Sequence, residues 1–342
     1  MINKKLALVT GANGFVGCHV VRALIARGRP VRALVRKGSD LRALEGVQCE
    51  LAWGDLRDAE AVAQATRGCE EVYHVGADYR LWLRDSAPMY AANVDGTRNV
   101  LLAARRAGAA RIVHTSTVGA LGIPHDAPGR EDTPVALADM VGPYKRSKFL
   151  AEQEALKAAR AGTPVVIVNP STPVGAFDYK PTPTGRMIVD FLNRRMPAFM
   201  DTGLNIVDVE DVADGHLLAA ERGAVGERYI LGGENLALEK LLGRLAAISG
   251  LRAPTLRVPY PVAWTFALGA EAVARTVTGR PPRASLTEVR MARKRMFFDS
   301  SKAIAALGYT ARPVDDALGR AVEFFRSIGA VRSAHQAERT QA

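Results

Sequence analysis

Short apolar runs rich in β-branched residues recur along the first half of the chain, with amphipathic stretches between them. The runs "KLALVT" (5–10), "PVRALVR" (30–36), "VQCELAW" (47–53), "EVYHVGA" (71–77), "ARIVHTST" (110–117) and "PVVIVNP" (164–170) are nearly continuous rather than alternating. Strands that read this way are buried on both faces, as in a parallel sheet covered by helices. The segments between them supply those helices. Residues 15–27 stop at Gly28 and residues 87–107 at Gly108, glycine being favoured just past a helix C-terminus. The pattern predicts an α/β fold with a doubly wound parallel sheet.

The pattern changes after Val174. "GAFDYKPTPTG" is rich in Pro, Gly and Thr and reads as an ordered loop entering a second region. Residues 205–221 and 227–233 look like a return to the sheet, and 235–296 read as mostly helical with Pro and Gly breaks. No internal repeat or low-complexity tract appears. The end, from about 331, is polar and reads as a frayed tail.

Composition narrows the function classes. A chain of 342 residues that is 48% hydrophobic can bury a full core. The formal charge of +11 comes from scattered Lys and Arg, without the aromatic–basic interleaving of a nucleic-acid groove, so no nucleic-acid partner is expected. Cys18, Cys49 and Cys69 fit neither a disulfide framework nor a CxxC metal site, which points to a reducing cytoplasm. The six histidines never pair at metal-ligand spacing, and no metal is expected. The N-terminal apolar run is too short for a signal peptide, and 261–277 falls short of a membrane span of about 20 residues.

The first chemical signal is "LALVTGANGFVG". Gly11, Gly14 and Gly17 lie between the first strand and the first helix, where small residues let a backbone approach a pyrophosphate at a helix N-terminus. The end of the second strand reads the nucleotide ribose. An acid there suits a free 2′-hydroxyl and an arginine a 2′-phosphate. Here Arg36 and Lys37 occupy the position and Asp40 lies further along, so NADP(H) is expected, with NAD as the alternative.

"GPYKRSKFLAEQ" places Tyr144 four residues before Lys148. Tyrosine, with a pKa near ~10, is a poor base at neutral pH, and a lysine one helical turn away favours its phenolate. Together with Gly11-x-x-Gly14-Phe15-x-Gly17, "GDLRD" (54–58), "NVDGTRNVL" (93–101) and "HTSTVGALG" (114–122), this pair resembles, in order, an extended short-chain dehydrogenase/reductase. The resemblance implies a Rossmann domain over 1–172, with 205–233 returning to it. It also implies a smaller, mostly helical substrate lobe over 173–204 and 234–328. Catalysis is then expected from Thr117, with Ser116 as the runner-up, and from Tyr144 and Lys148. The cofactor is expected to meet Gly11, Asn13, Gly14, Phe15, Val16, Arg36, Lys37, Asp55, Leu56, Gly76, Ala77, Thr115, Tyr144, Lys148, Asn169, Pro170 and Thr172.

Stretches outside the general pattern, among them "GADYRLWLRD" (76–85) and "VRMARKRMFFDSSKA" (289–303), resemble the hopanoid-associated sugar epimerase family, whose members are similar to dihydroflavonol reductases. That resemblance implies a polyol- or sugar-like substrate, small or lipid-linked, in hopanoid side-chain biosynthesis. Tyr79, Arg80, Asn93, Lys180 and Arg186 are the candidate substrate contacts. Three readings compete: net reduction, epimerisation with tightly held NAD(P), and NADP sensing without catalysis. A homodimer is compatible with the resemblance, as is a peripheral contact of the apolar 261–277 helix and "RMARKR" (290–295) with the inner face of a membrane.

Overall fold

The computed structural model describes residues 5–282 and 284–331. Seven strands form one parallel sheet: β1 (Ala7–Thr10), β2 (Val31–Val35), β3 (Glu50–Trp53), β4 (Glu71–His74), β5 (Arg111–Thr115), β6 (Val165–Pro170) and, after three strands placed elsewhere, β10 (Arg228–Leu231). Their spatial order is β3-β2-β1-β4-β5-β6-β10. The order reverses between β1 and β4, and ligands of such sheets bind outside the strand ends at that crevice.

Helices cover both faces. α1 (Phe15–Ala26), α2 (Ala59–Thr66), α3 (Ala87–Tyr90), α4 (Gly96–Arg106) and α5 (Gly142–Arg160) belong to the first half, and α6 (Pro183–Leu192) opens the second. α7 (Val209–Arg222), α8 (Leu238–Ser249), α9 (Tyr260–Val273), α10 (Leu286–Ala292), α11 (Ser301–Leu307) and α12 (Val314–Ser327) follow. The apolar runs of the strands divide between two cores. Val9, Val35 and Val113 pack with α1 and α7, whereas Leu8, Val72 and Ile112 pack with α2, α4 and α5.

The smaller lobe has its own core around Ile188, Leu241, Leu245, Leu318 and Phe325. It includes a three-stranded sheet of β7 (Thr172–Val174), β9 (Gly203–Asp208) and β11 (Glu234–Ala237), and a short pair of β8 (Ala198–Phe199) and β12 (Leu256–Arg257). This alters one expectation. Residues 205–208 pair with β7 and β11, not with the large sheet; the chain returns there through α7, packed on α1, and β10. β6 is already flanked by β5 and β10, so β9 takes the open edge of β7. The third strand is also shorter than the apolar run 47–53. The expected tail lies, from residue 332 onward, outside the described residues. Among the described residues, no helix is long and apolar enough to cross a membrane.

Candidate active site

The β1–α1 turn is built around close backbone contact. Gly11 has φ +63°, and a Cβ there would sit 2.5 Å from the Gly76 Cα at the end of neighbouring β4. A Cβ on Gly17 would lie 2.1 Å from the Gly11 carbonyl oxygen, so the third glycine seats α1 on the turn. Gly14 is the N-cap of α1, with no capping side chain and no acid in the first turn, so the helix N-terminus keeps its N–H donors and its positive field. Asn13 donates to the Asp40 carbonyl at 3.0 Å. Phe15 meets the His19 ring edge-on and Val16 packs on the core.

Arg36 and Lys37 are exposed directly after β2 and form no ion pair among the described residues, although the charge of Arg36 helps Arg57 to lower the Asp55 carboxyl. Asp40 is bound by Arg42 at 2.6 Å, and Asp55 by Arg57 at 2.9 Å. Leu56 packs beneath Gly76 and Gly96, where a Cβ would approach it to 3.0 and 2.8 Å respectively.

The second cluster forms where α5 crosses the ends of β5 and β6. Tyr144, Lys148 and Glu152 follow one another at i, i+4 and i+8 on one face of α5. Lys148, 4% exposed, donates from Nζ to the Thr115 carbonyl at 2.6 Å. Burial lowers its pKa from 10.5 to about 8, opposed by the charge of Glu152. Burial pushes the Tyr144 phenol up to about 12, opposed by a hydrogen bond with Thr117. Thr117 Oγ1 also accepts from the Gly119 N–H at 3.1 Å.

Thr115 contributes its carbonyl rather than its hydroxyl. His216 Nδ1–H donates to Val212 O at 2.7 Å, which leaves Nε2 to accept from Thr115 Oγ1 at 2.8 Å on the far face of the sheet. Asn169 is fully buried, and its amide donates to the Thr117 carbonyl at 3.1 Å and to Glu152 at 2.8 Å. Glu152 in turn pairs with Arg228 at 3.2 Å. Asn169 Oδ1 and Ser116 Oγ are buried without a protein partner. Pro170 ends β6, and Thr172 starts β7 beyond it.

Asn93 lies in a one-turn π-helical stretch (Ala91–Asp95) between α3 and α4. It is 1% exposed, accepting from the Asp78 N–H at 2.7 Å and donating to Asp78 O and Ser147 Oγ, each at 2.9 Å. The structure therefore places Asn93 beneath the site as a bracket between the loop after β4 and α5, where its amide is fully engaged. Of the other substrate candidates, Tyr79 donates its hydroxyl to the Lys180 carbonyl at 3.0 Å and so joins that loop to the Pro-rich one. Arg80 pairs with Asp78, while Lys180 and Arg186 are exposed. Burial raises the Asp178 carboxyl to about 6, against three hydrogen bonds from Thr182 that order the same loop.

Two features escaped the sequence reading. Glu152 carried a signal, its i+4 spacing from Lys148. The other is a directed chain through His74, which burial holds neutral with a pKa lowered to about 3. Thr97 donates to Asn93 O at 2.6 Å, so His74 Nε2–H donates to Thr97 at 2.9 Å. His74 Nδ1 then accepts from Thr10 at 2.8 Å, and Thr10 accepts from Gly76 N–H at 3.1 Å. The glycine turn and α5 are thus connected through buried hydrogen bonds. The turn, the open helix N-terminus and the orphaned Ser116 and Asn169 atoms fit a dinucleotide lying across the β1–β4 crevice with one end over Thr117 and Tyr144.

Comparison with known proteins shows the family. Residues 7–232 match the family described as NAD dependent epimerase/dehydratase. A putative dihydroflavonol 4-reductase from Synechocystis is 44% identical over 330 residues, covering 95% of this chain and 96% of its own. Sterol demethylase protein B from Methylococcus capsulatus is 37% identical, covering 95% of this chain and 99% of its own. A nucleoside-diphosphate-sugar epimerase from Pseudomonas aeruginosa superposes with a TM-score of 0.79 at 28% identity, covering 96% of this chain and 99% of its own.

Proposed function

Because the chain belongs to the NAD dependent epimerase/dehydratase family and is an NAD(P)-dependent oxidoreductase of the extended short-chain type, we propose that it performs a net, NADPH-dependent reduction of a carbonyl to a secondary alcohol. The observation that carries this reading is the Thr117–Tyr144–Lys148 cluster, with the lysine buried and anchored on Thr115 O. Bound nicotinamide supplies the hydride for the carbonyl carbon. Thr117 and Tyr144 hold the carbonyl oxygen by hydrogen bonds, and Tyr144 gives it a proton as charge develops there. Lys148 stabilises the resulting phenolate, and Glu152 stabilises the lysine's positive charge.

Arg36 and Lys37, exposed and outside any ion pair among the described residues, support NADP(H), because a 2′-phosphate offers them a doubly charged partner. The 44% identity to a putative dihydroflavonol 4-reductase supports reduction. The resemblance to hopanoid-associated proteins supports a polyol- or sugar-like carbonyl on a lipid-linked substrate, facing Tyr79, Arg80, Lys180 and Arg186. Epimerisation is the second reading, favoured by the likeness to the Pseudomonas aeruginosa epimerase.

The two readings differ in what happens to the cofactor. An epimerase returns its nicotinamide to the starting state and keeps it bound, whereas a reductase must exchange it every turnover. Absorbance of freshly purified protein before and after gel filtration discriminates them. Net reduction predicts an exchangeable site that binds NADPH reversibly, and near-stoichiometric nicotinamide surviving the column overturns it.

A further inference from the structure

α9 and the one-turn π-helical stretch after it (Ala274–Thr278) have an unusual solvent face. Their buried residues are small, Ala267 and Ala274, and α10 packs on that side. About a quarter turn around the helix from them, Val262, Phe266, Val273 and Val277 are 57%, 60%, 51% and 76% exposed. Their spacing of four, seven and four residues puts them in one stripe, with Gly269 between. A helix facing water ordinarily carries charges there. From Tyr260 to Thr278 the only charged side chains are Glu271 and Arg275, which neutralise each other at 2.7 Å.

The apolar stripe has a cationic border. Arg280, Arg290, Arg293 and Lys294 are exposed around α10, and none has a carboxylate partner among the described residues. Arg293 instead lies over the Tyr260 ring at 5.5 Å, at the start of α9. The nearby acid Glu288 is consumed by the capping box of α10. This combination, apolar side chains bordered by unneutralised guanidinium groups, fits the headgroup boundary of an anionic bilayer.

The face also adjoins the entrance to the site. Arg84, in the loop that carries Tyr79 and Arg80, donates to the Arg275 carbonyl at 3.0 Å. Thr287 of α10 abuts Gly142, two residues before Tyr144, where a Cβ would come within 2.7 Å of it. We propose that α9 and α10 form a docking face for an anionic lipid surface, seated against the two segments that frame the active site. A second copy of this chain fits less well, since pairing two such faces would bring their arginines together.

The test is co-sedimentation of the full chain with vesicles of phosphatidylcholine alone or mixed with phosphatidylglycerol, at physiological ionic strength. Binding is expected on the anionic vesicles, much weaker on the neutral ones, and reduced by added salt. A Phe266→Asp/Val273→Asp variant should bind anionic vesicles at least about tenfold more weakly, with an unchanged thermal unfolding midpoint and NADPH affinity. Arg290→Ala/Arg293→Ala should lose the preference for anionic lipid. No binding by the native chain overturns the proposal, as does undiminished binding by the aspartate variant, which would reduce the effect to overall charge. Sedimentation velocity covers the remaining occupant: self-association abolished by Phe266→Asp, without vesicle binding, would assign the face to a second copy and overturn the lipid reading.

Discussion

Lys148 is where function and stability pull in opposite directions, and Lys148→Met separates them. In the unfolded chain the amine has its ordinary pKa of 10.5, and burial lowers it to about 8 in the fold. Between those two values the unfolded chain holds more protons than the folded one, so stability rises with pH across that window. Below pH 8 both states are protonated and the full penalty for burying the charge applies. At ~1.4 kcal/mol per pKa unit, a drop from 10.5 to about 8 corresponds to about 3 kcal/mol. Methionine keeps the stem and removes the charge, but leaves the Thr115 carbonyl without its donor at 2.6 Å, a loss of about 1 kcal/mol. The cofactor-free variant should therefore be more stable than the native protein by about 1–2 kcal/mol at pH 7, with the order reversed by pH 10. Urea unfolding followed by far-ultraviolet circular dichroism at several pH values between those two measures it. Turnover should fall by at least ~10², since the phenolate of Tyr144 loses its counter-charge. Parallel stability–pH curves for the two proteins would refute the reasoning, because then the lysine is not titrating differently on folding.

Tyr144→Phe should leave the NADPH dissociation constant unchanged and reduce turnover by ~10² to 10⁴, the usual size of a lost acid–base group; retained activity would move the proton transfer elsewhere. Gly11→Ala combines a φ of +63° with a Cβ only 2.5 Å from the Gly76 Cα, so a loss of about 2–4 kcal/mol is expected in denaturant unfolding, together with weakened dinucleotide binding. Arg36→Asp should weaken NADPH relative to NADH by about 1–3 kcal/mol, and an unchanged ratio of the two dissociation constants would remove Arg36 from the 2′-phosphate.

Much of this architecture was legible because its causes are local. Continuous apolar runs mark strands covered on both faces, Gly11, Gly14 and Gly17 mark a tight strand-to-helix turn, and four-residue spacing puts Tyr144 and Lys148 on one helix face. Those signals need only neighbours within a few residues. The partners that tune the cluster are different in kind. His74 reads from sequence as one more strand residue, and it acquires a role only because the sheet order sets β1 beside β4, bringing Thr10 from 64 positions away and Thr97 from 23. Asn169 sits where the sixth strand was expected to end, but that its amide joins Glu152 to the Thr117 carbonyl follows from how α5 crosses the sheet. Thr115 was expected only to meet the cofactor, and that its hydroxyl turns to His216 while its carbonyl holds Lys148 follows from the pleat of β5. The periodicity of a chain records whether a residue is buried, since burial repeats with the element's own geometry. With whom it is buried is decided by strand order and helix crossing, which pair residues tens of positions apart and leave no period in the sequence.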